Sequence, residues 1–502
     1  MRNPRHRAID AATAALLAAV ACAGCAVGPD FKRPAAPHVE RYTVRPLPQQ
    51  TEAAVGPAGA AQVFTAGERL PDKWWTLYGS PSLDAMVEQA LRANPNVQSG
   101  RAALRKAHEN VLAAWGVLAP SVDASADGTR QRISGAQFGP SGLPSIFNLY
   151  NASVSVSYGL DFFGGARREL ESLRAQRDYQ RFVLQATYLT LSANVVTAAI
   201  AEASVRAQLQ ATEALVAASA KRLDMIRKQQ QLGGASQADV LAQQAQLAQD
   251  RANLPVLRRE LDQQRSLLAT LLGQLPSDQP EVAFHLADLQ LPATIPISVP
   301  SDLVAQRPDV RQQEELLHQA SAEVGVATSN MLPKLTLNGS YGGSTQNWDE
   351  LLKASSRVWS LSASVTQPVF HGGQLFHRRR AAVAAYDQAA AQYRDTVLNA
   401  FRNVADALRA LTADAETLSA VHDSHAAAAA SLAITDRQYA VGAVSYLTLL
   451  TAQRTEQQTR VSLIQAQAAR LADTAALFQA LGGGWSDQDV RSAQERAQPT
   501  VQ

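Results

Sequence analysis

Two stretches of this chain, residues 167–232 and 375–441, run through an Ala/Leu/Gln-rich pattern without a single proline or glycine. Those are the two residues that break helices, so each run predicts one continuous rod. At 1.5 Å per residue each rod is about 100 Å long. A helix several times the usual length cannot fold back into an ordinary globular core. It has to lie beside partners of matching length, and that requirement bounds every other reading of the chain.

The partners follow each rod. "QLGGASQADVLAQQAQ" and "YAVGAVSYLTLLTAQR" both read as helix, small-residue break, helix. The return helix at 236–272 spans about 55 Å and an earlier helix at 96–118 about 35 Å, so together they nearly match one rod. This predicts a wall of paired rods, one continuous and one in two pieces. Pro255 is expected to bend the return helix.

The body is a tandem duplication. Pro95 and Pro308 are 213 residues apart, as are Pro120 and Pro333. Gly233 and Gly442, Ser236 and Ser445, and Gly273 and Gly482 are each 209 apart, so a four-residue drift belongs between the two sets. The boundaries read as a signal peptide at 1–24, an extended anchored segment at 25–80, and a first repeat at 81–275. A linker at 276–300, a second repeat at 301–485 and a loose polar tail at 486–502 complete the chain.

Each repeat also carries a pair of stretches with period-two character. "SVDASADGTRQR" and "NASVSVSYGLDFF" form the first pair, within a hairpin at about 121–163. "KLTLNGSYGGST" and "SRVWSLSASVTQPVF" form the second, within about 334–370. Strands of about ten residues suit a tilted crossing of a bilayer. Four strands cannot close a barrel, and an open edge in hydrocarbon leaves amides unpaired. Eight strands make a barrel whose interior fills with side chains, so if these strands cross a membrane, three chains and twelve strands is the smaller assembly that leaves a pore; a soluble hairpin rim is the alternative.

Before the repeats, Arg2, Arg5 and Arg7 precede the short apolar run "AATAALLAAVACAG", the pattern of an export signal. The two cysteines, Cys22 and Cys25, both lie here, so no disulfide framework follows. Cys25, after Ala-Gly, resembles the acylated residue of a bacterial lipobox, although Cys22 stands where leucine is usual. Ala26 is not the aspartate that commonly retains lipoproteins at the inner membrane. A plain cleaved signal is the alternative. Trp74, Trp75 and Tyr78 are expected to fasten this region to the body.

Charge and chemistry exclude much. The 46 basic and 44 acidic residues leave a net charge of +2, which gives no footing for nucleic acid. No phosphate loop, zinc-protease or serine-hydrolase motif is present, so neither an enzyme nor a cofactor is expected. His422 and His425 share a helical face but lack carboxylate or cysteine company, and read as surface residues rather than metal ligands. "HRRR" at 377–380 reads equally as a solvated helix start or a cluster near lipid phosphates.

The frame "VPSDLVAQRPDVRQQEELL", the run "CAVGPDFKRP" and the "YAVGAVSYLTLLTAQR" turn together resemble the outer-membrane factor family of TolC-like channels, in its lipoprotein branch. The resemblance spans residue 25 to about residue 485. It implies a mainly α subunit with transmembrane β, and a homotrimer whose twelve-stranded β-barrel continues into a twelve-helix periplasmic α-barrel. It further implies an outer-membrane efflux duct, a periplasmic adaptor protein and an inner-membrane proton-driven transporter as partners, and contact with outer-membrane lipid. The same kind of duct serves type I protein secretion. A non-conducting lipid-anchored scaffold is the reading from another class.

The resemblance also places the periplasmic tip. Gly233 and Gly442 permit the left-handed backbone of a tight helix turn. With Gly234, Ala235, Ser236, Ala443 and Ser445 they form the expected adaptor-docking turns. Asp239 and Tyr439 match family positions that can latch the closed tip by a hydrogen bond; the alternative for Asp239 is a solvated first-turn aspartate. The aspartates that ring some apertures fall here on Thr448 and Thr451, and an arginine of some tips falls on Val444. An aperture of weak cation preference, with Leu447 as an apolar constriction, is the expectation.

Overall fold

The computed structural model describes residues 26–483 apart from residues 38, 40, 69, 135–144 and 279–282. The signal segment, Cys25 and the tail at 486–502 lie outside the described residues. The helices repeat with equal lengths. In the first repeat they are α1 (Pro81–Ala93), α2 (Pro95–Gly116), α3 (Gly165–Gln231) and α4 (Gln237–Leu271). In the second they are α5 (Pro300–Gln306), α6 (Pro308–Ser329), α7 (Gln374–Ala440) and α8 (Tyr446–Ala480). α2 and α6 have 22 residues each, α3 and α7 have 67, and α4 and α8 have 35. The drift between the two sets is confined to the strand segments. α4 runs unbroken through Pro255.

The strands are β2 (Ser121–Ile133), β3 (Ser145–Leu160), β5 (Lys334–Thr345) and β6 (Arg357–Thr366), in one antiparallel sheet of order β2-β3-β5-β6. The central pair joins the two repeats, with Tyr150 opposite Thr345 and Leu160 opposite Leu335. β3 starts earlier than its alternation suggests because β2 pairs with it all the way to Ile133 opposite Ser145. β6 stops at Thr366 rather than reaching Phe370, since Pro368 has no amide to donate.

A second, parallel pair was not legible in the sequence. β1 (Val63–Ala66) lies beside β4 (Thr294–Ile297), so the extended anchored segment and the linker share a ladder.

The chain divides into two compact units. The one that holds the four-stranded sheet, with Ala103–Gln180 and Gln312–Tyr393, also fixes the residues that follow Cys25. The Val27 amide donates to the Phe163 carbonyl at 3.0 Å. Arg168 donates to the Val27 carbonyl and to the carboxylates of Asp30 (2.6 Å) and Glu171 (2.7 Å). Gly28, at φ 97°, lies against Gly325 so closely that a Cβ there would come within 2.4 Å of backbone. Phe31 stacks on His318 at 4.3 Å, and Arg33 pairs with Glu314. Glu315 and then Glu171 raise the His318 pKa above its ordinary value, favouring the imidazolium.

The other unit, with Ala35–Ala102, Arg181–Arg311 and the chain from Arg394 onward, closes around the aromatic cluster. Trp74 and Tyr78 are fully buried; Trp74 meets Phe478 edge-on at 5.7 Å, and the Tyr78 hydroxyl donates to the Leu471 carbonyl at 2.8 Å. One turn away the guanidinium of Arg470, 0% exposed, donates to the carbonyls of Ala58, Glu52 and Ala60 and to the Thr51 hydroxyl at 2.8–3.3 Å. Ala58 reaches this position with φ 57°, the one non-glycine positive φ among the described residues. A buried cation here gathers backbone oxygens and ties the N-terminal strap to α8. Nearby, Asp414 on α7 has its pKa pushed up to about 7 by desolvation and by its hydrogen bond with Asp473 on α8.

Two outcomes are expected. Arg470→Met removes four hydrogen bonds, leaving the buried Ala58 carbonyl without its donor, and should lower stability by about 3 kcal/mol, with limited proteolysis cutting first within residues 51–60. The folded chain keeps a proton on Asp414 that an unfolded aspartate releases near pH 4, so this group's contribution is lost as pH rises from about 4 to about 7. Asp414→Asn should flatten that dependence, as read from melting temperatures at pH 5 and pH 8.

Candidate functional site

The four-stranded sheet has two chemically different faces, set by cross-strand register. Val122 lies opposite Val156, Val154 opposite Tyr341, Tyr341 opposite Trp359, Gly339 opposite Leu361 and Leu335 opposite Val365. This face is apolar, and the chain leaves it uncovered: Trp359, Leu361 and Val365 are 75%, 80% and 69% exposed. The other face carries Asp123, Ser125, Asp127, Asn151, Ser153, Ser157, Asn338, Ser340 and Ser360, hydrogen-bonded to one another in rows. Asn151 donates to Asp127 at 3.0 Å, Ser157 to Asn338 at 2.8 Å and Ser344 to Asn151 at 2.8 Å, and the Ser340 and Ser360 hydroxyls lie 2.9 Å apart. Water would cover such an apolar face only at high free-energy cost, whereas hydrocarbon accepts it. The polar face suits an aqueous lumen. β2 and β6 each pair on one side only, so both sheet edges carry open backbone groups.

The hairpin tips belong to the other unit and are built almost identically. At the end of α3 the Gly234 amide donates to the Gln229 carbonyl and Gly233 to Gln230; at the end of α7 Ala443 donates to Gln438 and Gly442 to Tyr439. Both are six-to-one closures with glycine in the left-handed position, φ 80° at Gly233 and 75° at Gly442. No atom crowds either glycine, so the backbone angle alone demands the residue. Ser236 then caps α4, accepting from the Asp239 amide, while the Asp239 carboxylate accepts from the Ser236 amide at 3.0 Å and hydroxyl at 2.7 Å. Ser445 caps α8 by accepting from the Thr448 amide. The Thr451 hydroxyl donates to the Leu447 carbonyl at 2.9 Å.

These contacts answer the expected latch. Within one chain the Asp239 carboxylate is engaged by the cap, and Tyr439 directs its hydroxyl to Gln229 at 3.4 Å. The two side chains are near enough for Asp239 to raise the Tyr439 pKa, after burial, but they do not pair. Within one chain Asp239 serves the cap of its own helix. Leu447 is 67% exposed, and Thr448 and Thr451 are exposed beside it. Ala235 packs on the core that joins the two hairpins, against Leu223, Ile226, Val240, Leu247, Tyr446, Leu449 and Leu450.

Sequence reasoning missed a buried polar chain that locks these helices together. The Tyr446 hydroxyl bonds to Gln243, and Gln243 donates to the Ser219 carbonyl at 2.9 Å. Ser219 and Gln246 both donate to Asp250, at 2.8 and 2.7 Å, and Arg454 donates to Gln246 at 2.6 Å. Gln243 and Asp250 are at most 1% exposed. The one available signal was an aspartate on the apolar side of an Ala/Gln-rich helix, which looks like any solvated residue until its neighbours are known. Arg222 of α3 adds a second tie, to Asp436 of α7 at 3.0 Å.

The other candidates carry no chemistry. His425 faces Thr459, His422 its neighbour Asp423, and the described residues hold no group of ligands that suits a metal. In "HRRR", Arg379 donates to Thr328 and Arg380 lies over Phe376.

An uncovered apolar sheet face, a polar reverse face and long paired helices define a membrane channel subunit. The family model described as "Outer membrane efflux protein" matches residues 86–274 and 299–483. The chain is 30% identical over 440 residues to the pyoverdine export outer membrane protein OpmQ of Pseudomonas putida, covering 86% of this chain and 92% of that one. It is 30% identical over 475 residues to the solvent efflux pump outer membrane protein SrpC of Pseudomonas putida, covering 92% and 96%. It superimposes on the outer-membrane channel OprN with a TM-score of 0.82 at 27% identity, over 92% of this chain and all of that one. The chain belongs to the outer membrane efflux protein family. It is an outer-membrane channel of the tripartite efflux type, extends into the periplasm and is not an enzyme.

Replacing Gly233 or Gly442 by alanine forces a side chain into the left-handed region and should cost about 1–2 kcal/mol. Asp239→Ala removes one half of a capping box and should cost about 1 kcal/mol. Amide exchange at the first turn of α4 should rise in that variant and stay unchanged at the first turn of α8.

Proposed function

We propose that three copies of this chain close a twelve-stranded barrel in the outer membrane, continued by a twelve-helix tube in the periplasm, as a passive duct for small molecules. The observation that carries this is the pairing of an uncovered apolar face with two open sheet edges. In hydrocarbon such edges are tolerated only when another strand completes them. Cys25 carries the acyl anchor: the clasp of Arg168 and Phe163 on Val27 holds the residue after next at the joint between β3 and α3, where acyl chains can enter the lipid.

The two hairpin turns of each chain form the periplasmic tip. Gly233, Gly234, Ala235 and Ser236, with Gly442, Ala443 and Ser445, present the surface on which a periplasmic adaptor docks. An inner-membrane proton-driven transporter energises the export. Leu447 lines the aperture with Thr448 and Thr451, which bear no charge, so it selects weakly between ions. Asp239 and Tyr439 can still meet across the tip once the cap is opened; the cap favours the fold of one chain, and the latch requires Asp239 to leave it.

Planar-bilayer recording tests the reading. The purified protein should conduct with weak cation preference, and deletion of residues 152–163, which removes most of β3, should abolish trimers and conductance together. A folded, trimeric protein that never conducts would favour a scaffold instead. Strong cation preference that Asp239→Ala abolishes would overturn the uncharged aperture.

A further inference from the structure

The apolar face of the sheet ends in arginine on both edge strands. On β2 the residues of this face are Val122, Ala124 and Ala126, then Gly128, Arg130 and Arg132. On β6 they are Val365, Ala363, Leu361 and Trp359, then Arg357. β2 runs away from α2 and β6 returns toward α7, so all three arginines stand at the end of the sheet remote from the helices, the extracellular end of an outer-membrane barrel. All three are exposed, and among the described residues none has an ion pair or a hydrogen-bonded side-chain partner.

No acid of the sheet shares their face. The β2–β3 connection, residues 134–144, contains no acidic residue. In the β5–β6 connection Glu350 is held by Lys353 at 3.3 Å, and Asp349 is exposed without an ion pair among the described residues. The sheet's own acids, Asp123 and Asp127, lie on the opposite face. On each edge an aromatic ring stands one outward position nearer the helices than the arginine: Tyr150, opposite Gly128, meets Trp348 edge-on at 5.7 Å, and Trp359, opposite Tyr341, lies two residues after Arg357. Such rings sit where hydrocarbon gives way to headgroups. Arginine just beyond that belt faces headgroup oxygens rather than acyl chains, and its planar fork matches phosphate geometry.

We propose that Arg130 and Arg132 of one chain and Arg357 of the next form a composite outward site for the phosphates of a glycolipid in the outer leaflet. This rests on the trimeric barrel proposed above, because only barrel closure brings the β2 edge of one chain beside the β6 edge of another. One such site then lies at each of the three subunit interfaces. Lipid phosphate bridges the seam between chains and adds to the closure that the strand pairing provides.

Native mass spectrometry of the full-length, delipidated protein tests this, with lipid A as the probe and dephosphorylated lipid A and phosphatidylglycerol as comparisons. Up to three lipid A molecules should bind each trimer, and removal of the phosphates should weaken binding roughly tenfold or more. Arg130→Ala with Arg132→Ala, and separately Arg357→Ala, should each give a similar loss, and the corresponding lysine variants a smaller one. Equal binding of the dephosphorylated lipid or of phosphatidylglycerol would overturn the assignment, and that comparison needs no variant. Trimeric variants with undiminished lipid A binding would overturn it while leaving the channel intact. A wild-type protein that is not trimeric would remove both.

Discussion

The rest of this structure depends on the hydrogen-bonding demand of backbone at a sheet edge in hydrocarbon. β2 and β6 offer unpaired amides and carbonyls, and the face between them is too apolar to be left to water. Water can satisfy the first requirement but not the second, and lipid only the second. A neighbouring copy with the same two edges satisfies the first. The monomer is therefore an incomplete object by its own chemistry, and the polar reverse face, with its serine and asparagine rows, becomes a lumen only when the sheet is closed.

The helical part solves a different problem with the same economy of means. α3 and α7 run for 67 residues each and need both their ends and their register fixed. Their ends are fixed by local rules: left-handed glycines at Gly233 and Gly442, serine caps at Ser236 and Ser445. Between the rods the polar chain through Tyr446, Gln243, Ser219, Asp250, Gln246 and Arg454 sets one register among several that alanine-rich surfaces would otherwise allow. A buried, fully satisfied network adds geometric selectivity that apolar contact lacks.

The N-terminal strap is fastened to each unit by an arginine that gathers backbone oxygens. Arg168 holds the Val27 carbonyl and Asp30 in one, and Arg470 holds Ala58, Glu52 and Ala60 in the other. The guanidinium contacts add to the few backbone bonds the strap makes through its own amides, such as Val27 to Phe163 and Val63 to Ala293. Arg470 lies close to Asp414, whose pKa is pushed up to about 7 by desolvation and by Asp473, so proton uptake near neutral pH bears on this fastening.

The repeat, the lengths of α2, α3, α4 and α7 to within two residues, the existence of four strands and the position of both hairpin turns were legible in the sequence. These rest on local causes: absent breakers, a two-residue alternation, a glycine where the backbone turns left-handed. Which strands pair across the repeats, the β1–β4 ladder and the capping contact of Asp239 with Ser236 emerged only in the tertiary structure. It alone showed that Asp250 and Arg470 are buried, because burial and pairing depend on residues hundreds of positions away, and a composition or a period carries no record of them.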